Sequence, residues 1–160
     1  MTSRDPTKYM DLSDKPKYYR DQFHDGIKYQ DFVSSVLQKE GIFIKFYNSM
    51  DYQNVGESNA GIEVKLDKNF RATGNLYIEI AEKSDPKNNK YVASGIFRND
   101  NTWLYAIGDY DIIFLLSKKQ LKLLYATHKL KEVETSTSQG FLLPVKEAYD
   151  IYSLKEINVN

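Results

Sequence analysis

The spacing of apolar residues changes period several times along the chain, and each change marks an element. From Lys28 to Glu40, Tyr29, Phe32, Val33, Val36 and Leu37 recur at three- and four-residue spacing, which builds one face of a helix, and Gly41 supplies its stop. The segment IFIKFYN, 42–48, is β-branched and aromatic and predicts a largely buried strand that leads into the polar loop SMDYQNVGESNA. In GIEVKLDKNFRATGNLYIEIAEK, 61–83, the period becomes two. Ile62, Val64 and Leu66, then Leu76, Ile78 and Ile80, alternate with polar residues, and TGN before the second run supplies a turn. This predicts a hairpin with one apolar side and one side carrying Glu63, Lys65, Asp67, Tyr77, Glu79, Ala81 and Lys83.

Three more strand candidates follow, VASGIF, TWLYAIG and DIIFLLS, with Gly108 and Asp109 separating the last two. Ser117 is placed to cap a helix over KKQLKLLYATHKL, whose apolar stripe is Leu121, Leu124 and Tyr125. Residues 131–140 read as a polar loop, and GFLLPVKEAYDIY as one more extended segment before a short tail. Residues 1–25 read as an irregular arm carrying Tyr9, Tyr18 and Tyr19, ahead of a single domain over 26–160. The order predicts an α/β (α+β) domain with a central mixed sheet of about five strands flanked by helices.

Composition narrows the chemistry. A chain of 160 residues, 41% hydrophobic and 14% aromatic, can bury one substantial core. Its 22 basic and 22 acidic residues cancel, so an anionic partner must be held by a local patch. Arginine occurs only at Arg4, Arg20, Arg71 and Arg98, and Arg71 and Arg98 are the candidate phosphate contacts among them. The absence of cysteine excludes disulfides, thiolate catalysis and the common structural zinc sites. His24 and His128 lack metal-ligand spacing and read as solvated or packed histidines. No apolar run reaches the ~20 residues of a membrane span and the polar N-terminus has no secretory signal, so a cytoplasmic protein with no membrane partner is expected. Glycine-rich phosphate loops, GxSxG elbows and dinucleotide fingerprints are missing as well.

The charged side of the 61–83 segment is the place where chemistry is expected. A register that sets Lys65 near Glu79 gathers three carboxylates around one ammonium. The plain reading is a solvated sheet face with cross-strand ion pairs, each worth little. Excess carboxylates repel one another unless a cation joins them, and oxygen ligands without a thiol favour magnesium or manganese. A lysine beside metal-bound carboxylates can orient the water that attacks a phosphodiester.

At these residues the chain resembles the PD-(D/E)XK (restriction-endonuclease-like) nuclease superfamily, whose core is a helix, a strand and a hairpin bearing an acid followed by Glu-x-Lys. More narrowly, IEVKLD, TGNLYIEIAEKS and SGIFRNDNTWLYAIGDY look like a group of small phage and bacterial proteins assigned to that superfamily. Two alignments compete. In the first, Asp67 and Glu79 are the acids, Ala81 stands where the lysine belongs, and Lys65 serves from the neighbouring strand. In the second, Glu63-Val64-Lys65 is the Glu-x-Lys element, with Asp51 or Glu57 as first acid. The first is preferred because the second leaves Asp67 and Glu79 without a role; Lys65 serves both. The resemblance implies a metal-dependent DNA endonuclease using Mg2+ (or Mn2+), with Asp67 and Glu79 as metal ligands, Glu63 as an auxiliary acid or ligand and Lys65 at the attacking water. It implies 5′-phosphate and 3′-hydroxyl ends, and a homodimer as one arrangement for cutting two strands. The superfamily often adds an acid from its first helix, for which Asp31 and Glu40 are the candidates. In SGIFRNDNTW the plain reading is a turn with a core tryptophan; the functional one sets Arg98 on a phosphate and Ser94 beside the metal. Lys118, Lys119 and Lys122 form either a solvated helix face or a phosphate-facing patch. The alternative function is a catalytically inactive nucleic-acid- or protein-binding domain, which Ala81 permits.

Overall fold

The computed structural model describes residues 16–44, 58–148 and 153–158. Helix α1, Lys17–Lys39, buries Tyr29, Val33, Val36 and Leu37. It starts at Lys17, before the predicted Lys28, so this part of the expected irregular arm is helical. Pro16 sits at the cap, where a missing amide costs nothing, and a Lys17–Asp21 pair at 2.7 Å supports the solvated first turns. Residues 42–44 have no regular structure, and 45–48 of the predicted strand lie outside the described residues.

Among the described residues the strands form two four-stranded sheets, a correction to the single sheet of about five; the α+β class stands. One is mixed. Its strands are β1 (Ile62–Leu66), β4 (Leu104–Gly108), β5 (Ile112–Ser117) and β8 (Ser153–Asn158), in the order β1-β4-β5-β8, with β1 parallel to β4 and the other pairs antiparallel. The other sheet is antiparallel throughout. It contains β2 (Asn75–Glu82), β3 (Val92–Ala93), β6 (Glu132–Glu134) and β7 (Ser138–Pro144), in the order β3-β2-β7-β6. Short helix α2 (Phe70–Thr73) and α3 (Lys118–Thr127) lie between strands, a 3-10 turn covers Gly95–Phe97, and helix α4 (Val145–Glu147) follows β7. Ser117 caps α3 as the sequence predicts, its side chain accepting from the Gln120 amide at 3.3 Å. Residues 131–140, expected to be a loop, hold β6 and the turn into β7, and the expected tail carries β8.

The predicted 61–83 hairpin does not form, because β1 and β2 belong to different sheets. The reason is local. Asp67 Oδ1 accepts from the amides of Asn69 and Phe70 at 2.9 and 3.0 Å, starting a helical turn in place of a tight reversal. Gly74 ends that turn at φ +74, and Phe70 is buried under the strands. The chain thus leaves one sheet and enters the other within eight residues, 67–74.

Two apolar cores fix the layers. Tyr29, Val33, Val36 and Leu37 of α1 pack on Ile62, Val64, Leu104, Ala106, Ile113 and Leu115, one face of the mixed sheet. Its other face supplies Tyr105, Ile107, Ile112, Phe114 and Leu116, which meet Leu76, Ile78, Phe141 and Leu143 of the second sheet and Leu121 and Leu124 of α3. Each fully buried large side chain is worth about 1.5–3 kcal/mol against about 1 kcal/mol or less for a surface ion pair, so these cores set the sheet positions. Among the described residues no helix is long and apolar enough to cross a membrane.

Candidate functional site

Because the mixed sheet is covered on both faces, alternation along β1 does not separate core from solvent. Ile62 and Val64 face α1, and the intervening Glu63 and Lys65 face the seam between the two sheets. Glu63 pairs in register with Tyr105 of β4, and Lys65 with Ile107. Glu63 is only 3% exposed and receives the Lys65 ammonium at 2.9 Å; the Lys65 side chain is 39% exposed. A pocket opens at this seam, lined by Lys65, Tyr77, Ile78, Glu79, Gly95, Ile96, Tyr105 and Ile107. Lys65 and Glu79 therefore share a pocket from separate sheets, without the ladder pairing that a hairpin would have given.

Glu79 is held by features from three segments. The β2–β7 register slips between Glu79 and Ala81, a bulge of the kind that re-aims a side chain. Ser94 Oγ, on a residue only 3% exposed, donates to Glu79 Oε1 at 2.7 Å. Gly95, at φ +53, lies so close that a Cβ there would sit 2.0 Å from the Glu79 carbonyl oxygen. Ser94 was singled out from sequence and alternation set Tyr77 on the same side as Glu79; Gly95 and Tyr105 were missed, and the only signal for Gly95 was the SG pair ahead of an apolar residue. Burial pushes the Tyr77 phenol above its ordinary range, against the lowering effect of its 2.6 Å hydrogen bond with Ser138 Oγ. Tyr77 is thus a protonated hydroxyl at neutral pH.

Asp67 stands at the end of β1 beside this pocket. Besides capping α2, it accepts from the Tyr77 amide through Oδ2 at 3.0 Å, tying the end of one sheet to a strand of the other. Both oxygens already serve the backbone. Asp67 lines a groove of about 560 Å³ that also includes Lys65, Tyr77 and Ile107, so groove and pocket meet at Lys65.

The outlying candidates divide. Lys118 is corrected: its side chain is 9% exposed, and its ammonium donates to the Arg98 carbonyl at 2.7 Å and to Asp100 Oδ1 at 3.0 Å, so it cannot face a phosphate. Lys119, next in the helix, is exposed. Arg98 lies with its Nε 4.0 Å from Asp100 Oδ2. Arg71 engages Asp109 through two nitrogens and approaches Asp111 at 3.6 Å, fastening α2 to the β4–β5 turn. Trp103, expected in the core, is 56% exposed, with Nε1 donating to the Ala60 carbonyl at 2.8 Å. Asp31 lies well inside α1 and Glu40 at its C-cap, neither among the pocket or groove residues. His24 and His128 are likewise elsewhere. Asp51 and Glu57 lie outside the described residues.

Among the described residues, no three His, Asp or Glu side chains converge in a way that could hold a metal ion. The donor set does not fit a dedicated cage, and Glu63 is committed to Lys65. Two oxygen-donating residues flank the junction of pocket and groove, Glu79 and Asp67. A magnesium ion there would have at most these two carboxylates, with substrate phosphate left to complete its shell. Comparison of the chain with protein-family models, with curated proteins and with solved structures finds no match in any of the three.

Proposed function

We propose that the seam between the sheets is the catalytic site of a metal-dependent deoxyribonuclease with a restriction-endonuclease-like core. The observation that carries the reading is the meeting of Lys65 and Glu79 in one pocket, beside Asp67, from strands of different sheets. Each is braced by a buried partner, Glu63 for Lys65 and Ser94 for Glu79. Catalytic groups need this kind of fixed placement, and a merely solvated charged face does not.

In this reading Lys65 donates to a phosphoryl oxygen and to the attacking water while Glu63 keeps the ammonium aimed across the seam. Glu79 and Asp67 would hold Mg2+ or Mn2+, which supplies charge stabilisation when bound. Tyr77 contributes a protonated hydroxyl at the wall of the pocket. The substrate is DNA, cut to 5′-phosphate and 3′-hydroxyl ends, with a homodimer as the arrangement for cutting both strands of a duplex.

Lys65→Ala and Glu79→Ala should each lower cleavage of plasmid or oligonucleotide DNA in magnesium by about 10²-fold or more, the scale of one preorganised charge-stabilising group. Circular dichroism should report a folded chain. Wild-type rates in both variants would sink the assignment.

A second reading, a nucleic-acid- or protein-binding domain without catalysis, is favoured by one observation: no third acid joins Glu79 and Asp67 among the described residues. Calorimetric titration with manganese separates the two. Specific uptake lost in Glu79→Ala supports the nuclease, and no uptake in the presence of DNA supports the binder.

A further inference from the structure

The groove that meets the pocket at Lys65 runs between α1 and the segment from β1 to β2. Its wall carries Tyr18 and Gln22 from α1, Lys68 and Asn69 after β1, and Asn75 and Thr135 across from them. Its polar lining mixes hydrogen-bond donors and acceptors and includes the carboxylate of Asp67, and its positive charge is muted. Both of its ammonium groups are held by carboxylates, Lys65 by Glu63 and Lys68 by Asp25 of α1.

The two pairs differ in a way that decides what each can do. Glu63 is 3% exposed, and parting it from Lys65 would leave a buried carboxylate unpaired, so Lys65 keeps it. The Lys68 and Asp25 side chains are 45% and 41% exposed. A pair at that exposure is worth little, and Asp25 can turn into solvent at small cost when another anion arrives. Asp25 thus occupies the place of an anionic ligand.

We propose that this groove seats one unpaired DNA strand running away from the pocket, with a backbone phosphate displacing Asp25 from Lys68. The inference rests on the nuclease reading and names the form of its substrate. Two observations favour a single strand over a duplex. Tyr18, 76% exposed at the groove wall, offers a face on which an unpaired base can stack. Lys118, a candidate phosphate contact from the sequence, is buried against Asp100 and adds nothing to a surface for a duplex.

The test is binding of fluorescein-labelled oligothymidylate and of the corresponding duplex, read by anisotropy in EDTA across a salt series, with cleavage in magnesium measured in parallel. The full chain should bind the single strand more tightly. Lys68→Ala should weaken that binding by roughly three- to tenfold and reduce the salt slope by about 0.7, the share of one phosphate contact on a single strand. Asp25→Asn should strengthen it several-fold, because the competing carboxylate is gone, and Tyr18→Ala should weaken the single strand more than the duplex. If wild-type protein binds and cleaves while Lys68→Ala and Asp25→Asn leave affinity and slope unchanged, the groove assignment is overturned and the nuclease reading stands. Tighter binding of the duplex overturns the single-strand assignment. Loss of cleavage in neither Lys65→Ala nor Glu79→Ala, with no strand bound by the wild type, overturns both.

Discussion

Lys65 and Lys118 make nearly the same contact in different surroundings. Each ammonium meets a buried carboxylate, at 2.9 Å from Glu63 and 3.0 Å from Asp100. Lys118 is 9% exposed, and the Arg98 carbonyl takes another of its donors. Lys65 is 39% exposed and borders both the pocket and the groove. What separates the two ammonium groups is exposure: the Lys65 side chain reaches solvent, and the Lys118 side chain hardly does.

Breaking the closed pair should have the largest effect on stability. Asp100→Ala leaves the Lys118 ammonium buried with only the Arg98 carbonyl and removes the acceptor for the Thr102 amide. A loss of about 3–5 kcal/mol in urea unfolding is expected, the range for deleting one partner of a buried ion pair. Cleavage per folded molecule should be unaffected. A loss below about 1 kcal/mol would erase the distinction drawn from burial.

Ser94→Ala asks the same question of the open site, with a smaller effect on folding. It removes the hydroxyl that holds Glu79, whose carboxylate borders the pocket and can be rehydrated, so about 1 kcal/mol of stability is expected to go. Activity should fall about tenfold, since the carboxylate loses its fixed direction, and Ser94→Thr should recover part of it. Full activity in Ser94→Ala, alongside a stability loss as large as that of Asp100→Ala, would make Glu79 another structural acid.

The elements were more legible in the sequence than their partners. The stripes of α1 and α3, the buried sides of β1 and β2 and the Ser117 cap follow from periodicity and capping chemistry, which are local. The sheet assignment was not legible, because Asp67 acts through three backbone amides that no spacing rule encodes. Glu63 misled for a related reason. Alternation marks one face as polar but cannot say that the face is covered, and here the second sheet covers it. Grouping Lys65 with Glu79 survived the loss of the hairpin that suggested it, since the seam brings them to one pocket by another route. Lys118 was misread because Asp100, eighteen residues earlier, lies on a turn whose folding the pattern does not fix.

Arg71–Asp109 extends the comparison toward the surface and should give the smallest effect. The Arg71 side chain is 55% exposed and that of Asp109 19%, so screening by water limits the pair to about 0.5–1 kcal/mol. Partial burial raises the Asp109 carboxyl, but the Arg71 hydrogen bond and the amides of Asp111 and Ile112, aided by the Arg71 charge, outweigh it and hold the group below its ordinary 3.8. A carboxyl that binds its proton more weakly when folded stabilises the fold above its unfolded value. That contribution is lost as pH falls below 3.8 through the depressed folded value. Asp109→Asn keeps the acceptor oxygen but cannot titrate. The stability difference between wild type and Asp109→Asn, measured by urea unfolding, should therefore be constant near neutrality and shrink as the medium is acidified below the ordinary carboxylate range. A difference that stays flat into acid would mean that Asp109 acts through its hydrogen bonds to the turn alone, and that the charge on Arg71 adds nothing at this exposure.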